Sequence, residues 1–191
     1  MSRKKLFLII GAPGSGKTTD CEVIASHQAQ ITHYSAGDMF RAEVATDSER
    51  GQLIKSIIDR GEIVPIDIAI ETIVGAIKKA PTDAVIIDGY PRSQEQMNAL
   101  DAFLAGESDV ELVSVIEVVV GEAVARERVL GRARGADDDE AVFVRRMRVY
   151  LEPLADIQAF YTHKGLLHKI GGERELEAVV SEMQAYIESL I

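Results

Sequence analysis

The chain has 191 residues, 47% of them apolar, and no Pro- or Ser-rich linker, so it can bury a sizeable core as one domain with at most a small insertion. With 31 acidic against 21 basic side chains its formal net charge is −10, which argues against nucleic acid or an anionic membrane surface as a partner. Cys21 is the single cysteine, which excludes an intrachain disulfide and a four-cysteine zinc site and fits a reducing cytoplasm.

The first predicted element is a buried strand, Leu6 to Ile10, preceded by Arg3, Lys4 and Lys5 but too short for a signal-peptide core. It runs straight into Gly11 to Thr18, GAPGSGKT, a complete phosphate-binding loop between a strand and a helix. Gly11, Gly14 and Gly16 let the backbone aim N–H groups at one point, where a helix start adds partial positive charge. Lys17 can then reach β- and γ-phosphates, and the Thr18 hydroxyl can serve Mg²⁺. Helix is expected over Thr18 to His27, with Cys21 as a small apolar residue in it, and a weaker strand over Ile31 to Ser35.

From Ala36 to Pro65 no strand is expected, only amphipathic signals such as the apolar stripe Leu53, Ile54, Ile57 and Ile58. This reads as a small helical insertion over the ligand crevice. Helix Ile68 to Lys79 then leads into strand Ala84 to Ile87, which ends in Asp88. A carboxylate there is the second half of a nucleoside triphosphate site and can hold Mg²⁺ through water. Helix follows over Ser93 to Leu104, strand over Leu112 to Val120 and helix over Glu122 to Leu130. A long helix, Ala141 to Tyr161, is broken near Pro153, and strand Leu166 to Ile170 and helix Glu173 to Leu190 close the chain. Strands alternating with helices give an α/β fold whose parallel sheet carries its ligands at the carboxyl ends of the strands.

Arginine is unevenly spread. Seven of the thirteen lie between positions 126 and 148: Arg126, Arg128, Arg132, Arg134, Arg145, Arg146 and Arg148. In so acidic a chain the cluster suggests an anion clamp, because guanidinium forks onto phosphate oxygens. Arg126, Arg145 and Arg148 are instead read as a solvated face paired with Asp137, Asp138, Asp139 and Glu140. Gly131 and Gly135 mark a mobile loop. His27, His33, His163 and His168 show no ligand-like spacing and are read as ordinary solvated or partly packed residues.

Two further stretches, Tyr34-Ser35-Ala36-Gly37-Asp38-Met39-Phe40-Arg41 and Asp88-Gly89-Tyr90-Pro91-Arg92 with Gln96 four residues on, resemble the nucleoside monophosphate kinases, most closely the adenylate kinases. With the phosphate loop, Gly61-Glu62-Ile63-Val64-Pro65, Arg128 and Arg132, and Asp137-Asp138 before Arg146, the resemblance runs in order along nearly the whole chain. It implies a five-stranded parallel sheet flanked by helices, a monophosphate-binding insertion over 36–65 and a short lid over 131–137 that leaves no room for a zinc-bearing one.

The resemblance also implies reversible transfer of the γ-phosphoryl group of MgATP to AMP, giving two ADP, by a cytoplasmic monomer. Gly14, Ser15, Gly16, Lys17, Thr18 and Thr19 would hold the ATP phosphates, with Arg174 near the ATP adenine. Arg41, Arg92 and Gly89 would meet the acceptor phosphate, Ile63 and Val64 would wall its base, and Gln96 would read adenine. Arg128, Arg132 and Arg146 would close on the transferring group, joined by Arg134, whose spacing to Asp137-Asp138 is one residue off the expected pattern. Thr18 and Asp88 would serve Mg²⁺, and a cis Tyr90-Pro91 bond would turn the chain between Asp88 and Arg92. Ala36 stands where the adenylate kinases carry threonine and resembles the uridylate-cytidylate kinases, which leaves those as an alternative. A slow P-loop NTPase switch or a nucleotide-binding module is the alternative of another class, and the switch is disfavoured because no N-K-x-D sequence is present.

Overall fold

The computed structural model describes residues 3–132 and 139–191. Five parallel strands, β1 (Lys4–Gly11), β2 (Ile31–Ser35), β3 (Ala84–Asp88), β4 (Val110–Val119) and β5 (Leu167–Gly171), form one sheet in the order β2-β3-β1-β4-β5. The expected α/β class and all five strands are present, with ends displaced by at most two residues. Strand β1 lies at the centre because it is apolar on both faces. Leu6, Leu8 and Ile10 enter one core cluster while Phe7 and Ile9 enter the other, as the two-residue period of a strand requires.

Helix α1 (Lys17–His27) and the last helix, α9 (Leu176–Glu188), cover the Phe7 face. On the Leu6 face lie α2 (Ala36–Val44), α3 (Glu49–Ile58), α4 (Ile66–Lys79), α5 (Gln94–Gly106) and α8 (Leu154–His163). The expected stripe on α3 is only partly buried, for Ile54 and Ile57 enter the core whereas Leu53 is 49% exposed. A short amphipathic helix that covers a crevice packs on one side only, and Leu53 falls outside that side.

Helices α6 (Glu122–Gly131) and α7 (Glu140–Leu151) pack on the phosphate loop through Ala12, Ala125, Val129, Phe143 and Met147. The break near Pro153 falls between α7 and α8, because a proline cannot donate to the preceding turn. Helix α9 starts three residues later than expected. Residues 172–173 are drawn into tertiary bonds instead, Gly172 N donating to the Val119 carbonyl at 2.8 Å and Glu173 Oε1 accepting from Gly121 N at 2.7 Å.

Candidate active site

The crevice opens at the carboxyl ends of β1, β2 and β3, where three short connections converge. The first is the phosphate loop. Gly14 has φ +80, and a Cβ there would stand 2.4 Å from the Ala125 carbonyl oxygen, so both backbone conformation and the close approach of α6 demand glycine. The loop ends at Gly16, the N-cap of α1, which places Lys17 and Thr18 in the first turn of a helix that begins at the crevice.

Strand β3 supplies Asp88, 1% exposed, and register places it beside Ser35 and Ile9. Thr18 Oγ1 donates to its Oδ1 at 2.9 Å, and His33 Nε2 lies 2.6 Å from its Oδ2. His33 pairs in register with Ile86, two residues before Asp88, so its side chain leaves the sheet on the Asp88 side. Burial works to raise the Asp88 pKa, but the His33 bond, the Lys17 charge and the Thr18 bond together hold the carboxyl below its ordinary value. His33 is a correction to the sequence reading, which placed it among ordinary solvated or partly packed residues. Its side chain is only 8% exposed and is bound to the central acid of the site. Its place two residues before the end of β2 was the signal that could have found it.

Lys17 lies half-buried on the crevice floor. Desolvation lowers its pKa to about 8, Asp88 opposing and Arg92 and Arg146 reinforcing the shift. A lysine whose proton two neighbouring guanidiniums disfavour marks a cleft of concentrated positive charge, built for an anion of several charges. Asp20, unremarked in the sequence, is buried in the next turn of α1, and burial raises its pKa to about 6 against the opposing charges of Arg128 and Lys17.

The acceptor side is formed by the turn after β3 and the ends of α2 and α3. The Tyr90-Pro91 bond is cis, as the resemblance implied. Arg92 Nε donates to the Gly89 carbonyl at 2.8 Å, which holds the guanidinium over the turn. The Gln96 side chain, in an almost wholly buried residue, accepts from Arg92 N at 2.8 Å and donates to the Val64 carbonyl at 3.4 Å. It therefore ties the Arg92 turn to the segment that carries Ile63 and Val64. Arg41 folds back on Asp38 of its own helix.

Lys17, Arg41, Ile63, Val64, Gly89, Arg92, Gln96 and Arg146 thus line one crevice. Arg128 lies over the phosphate loop, its Nη1 donating to the Ser15 carbonyl at 3.3 Å, and Arg132 caps the carboxyl end of α6. Ala36, Thr19 and Arg174 are not among the residues that line this crevice. Ala36 is 1% exposed in the core, Thr19 is exposed on α1, and Arg174 bonds the Gly171 carbonyl and Glu182. Arg134, Asp137 and Asp138 lie outside the described residues, as does most of the lid expected over 131–137. Of the arginines read as a solvated face, Arg126 pairs with Glu140 at 2.8 Å as expected, whereas Arg145 donates to the Arg60 carbonyl.

A phosphate loop, a carboxylate at the end of the neighbouring strand and a polycationic crevice on a five-stranded parallel sheet define a P-loop phosphotransferase. A family profile described as adenylate kinase matches residues 9–166. The chain is 64% identical over 187 residues to the adenylate kinase of Wolinella succinogenes, covering 97% of this chain and 98% of that one. It is 62% identical over 185 residues to that of Helicobacter hepaticus (96% and 97%) and 57% identical over 188 residues to that of Campylobacter lari (98% and 99%). The chain belongs to the adenylate kinase family.

Proposed function

We propose that the crevice passes the γ-phosphoryl group of MgATP to the phosphate of AMP, reversibly, giving two ADP. The observation that carries this reading is the convergence of Lys17, Arg92 and Arg146 on one cleft whose floor is the phosphate loop. The attacking oxygen already belongs to an anionic phosphate, so no general base is needed, and catalysis reduces to alignment and charge stabilisation. Lys17 and the loop N–H groups hold the donor phosphates, Arg41 and Arg92 orient the acceptor phosphate, and Arg128, Arg132 and Arg146 meet the charge that spreads in transfer. Gln96 has spent its carbonyl oxygen on Arg92 N, so adenine is read by its remaining N–H together with the Val64 carbonyl.

Thr18 and Asp88 fit a magnesium ion, Asp88 through water, because both carboxylate oxygens are fixed and the group is held ionised. A bound Mg²⁺ would supply positive charge that neutralises the donor phosphates. Residues 36–65 act as the acceptor-binding insertion and 131–137 as a short lid that excludes water during transfer.

We place the protein in the cytoplasm, as a monomer. The lone Cys21 is buried, which fits a reducing compartment, and the monomer is what the resemblance to the adenylate kinases implies. A coupled assay of ADP formation tests the activity, run with ATP alone and with AMP, UMP or CMP as acceptor. AMP is expected to be the best acceptor. Hydrolysis of ATP that ignores AMP would overturn the reading in favour of a switch, and a better rate with UMP or CMP would assign the acceptor to the pyrimidines. Neither alternative gains support from the relatives, all of which bear the name adenylate kinase.

A further inference from the structure

The elements that serve the two substrates touch directly at the mouth of the crevice. The turn after α3, Arg60 and Gly61, lies against α7. Arg145 Nε donates to the Arg60 carbonyl at 2.8 Å. Gly61 has φ +70, and a Cβ there would stand 3.1 Å from Arg146 Cγ and 3.3 Å from the Val142 carbonyl oxygen, so a side chain at this position would strain the turn and press on α7. Within the turn Arg60 forks onto Glu62 with bonds of 3.0 and 2.9 Å. The Arg60 bond, more than the charge of Arg145, holds the Glu62 carboxyl below its ordinary pKa.

What lies on either side of this contact gives it consequence. Ile63 and Val64, two and three residues after Gly61, line the acceptor side of the crevice. Arg146, next to Arg145 on the same rigid helix, faces Lys17 from the other side. Fixing Arg145 to the turn therefore fixes the direction in which Arg146 enters the cleft.

We propose that the Arg145 bond to the Arg60 carbonyl, seated by the Gly61 contact, is a latch through which occupancy of the acceptor site positions Arg146 for transfer. Arg145 is then a positioning residue. It touches neither substrate, yet it links acceptor binding to donor binding, and the linkage is reciprocal by thermodynamic necessity. The proposal rests on the adenylate kinase reading above.

The test is the affinity for AMP, measured by calorimetry with and without a non-hydrolysable MgATP analogue; the ratio of the two constants is the coupling. Wild type is expected to bind AMP more tightly in the presence of the analogue. Arg145→Ala should reduce that ratio about two- to tenfold, the range of one hydrogen bond, with AMP binding alone little changed. Arg145→Lys keeps the charge but not the guanidinium fork and should recover only part of the loss. Gly61→Ala should reduce the ratio as well. Wild-type coupling in Arg145→Ala with an unaltered melting temperature, or no coupling in wild type, overturns the latch. ADP formation by wild type is assayed in parallel. Its absence overturns the kinase reading, whereas its presence with unchanged coupling overturns the latch alone.

Discussion

The floor of the crevice and its rim carry the same kind of charge in opposite surroundings. On the floor, Asp88 and His33 are bound at 2.6 Å with side chains 2% and 8% exposed, and desolvation lowers the Lys17 pKa to about 8. On the rim, Arg41 pairs with Asp38, Arg126 with Glu140 and Arg174 with Glu182, all open to water. Burial makes each floor charge strong toward a ligand and costly to the empty fold, while a rim charge contributes little to stability. Activity and stability should therefore oppose each other on the floor and separate on the rim.

The sharpest break in this contrast is Lys17→Met. It should lower kcat about a thousandfold, by loss of a buried charge aimed at the transferring group, without lowering the melting temperature of the ligand-free protein at pH 7. The sign follows from linkage. The folded pKa of about 8 lies below the ordinary 10.5, so between those values the unfolded chain binds more protons and wild-type stability from this group rises with pH. Melting curves from pH 7 to 10 should show that rise in wild type and not in the variant. In wild type, kcat/KM for MgATP should fall above pH 8 as free Lys17 loses its proton. Near-normal ADP production by Lys17→Met would remove Lys17 from the site.

Next in size is Arg146→Ala on the rim, expected to lower kcat about a hundredfold while changing the melting temperature little. A variant that melts early with full specific activity would make this arginine structural.

Gln96→Ala tests the boundary between the regions, since its amide is part of the buried scaffold and also faces the acceptor. It should lower kcat/KM for AMP about tenfold, spare UMP and CMP, and destabilise by about 1–3 kcal/mol because Arg92 N and the Val64 carbonyl lose their partner. Equal losses for all acceptors would leave Gln96 a scaffold residue only.

The smallest effect belongs to Asp20→Asn. The folded carboxyl titrates near 6 against an ordinary 3.8, so the folded state keeps a proton that the unfolded chain releases, and stability from this group declines as pH rises through that window. Once discounted for solvent screening, the substitution should stabilise by about 1 kcal/mol at pH 7.5 and by nothing at pH 4. Equal shifts at both pH values would trace the effect to packing.

The sheet, the phosphate loop and the acid at the end of β3 are legible in the chain alone. Buried parallel strands read as unbroken apolar runs such as Leu6 to Ile10, and the loop must sit between a strand and a helix to bind phosphate at all. Both are local patterns, and local sterics and hydrophobicity fix them. The family resemblance carried Arg92, Gln96 and Arg146 to the crevice, and they are found there. Long-range packing settles the remainder. His33 reaches Asp88 because β2 pairs with β3 across more than fifty residues of chain, a register no local pattern encodes. Arg145 turned from the nearby acids to a carbonyl on another element, and Ala36 is packed into the core. A side chain's direction is set by what packs on its element from elsewhere, so spacing along the chain could nominate these residues but could not aim them.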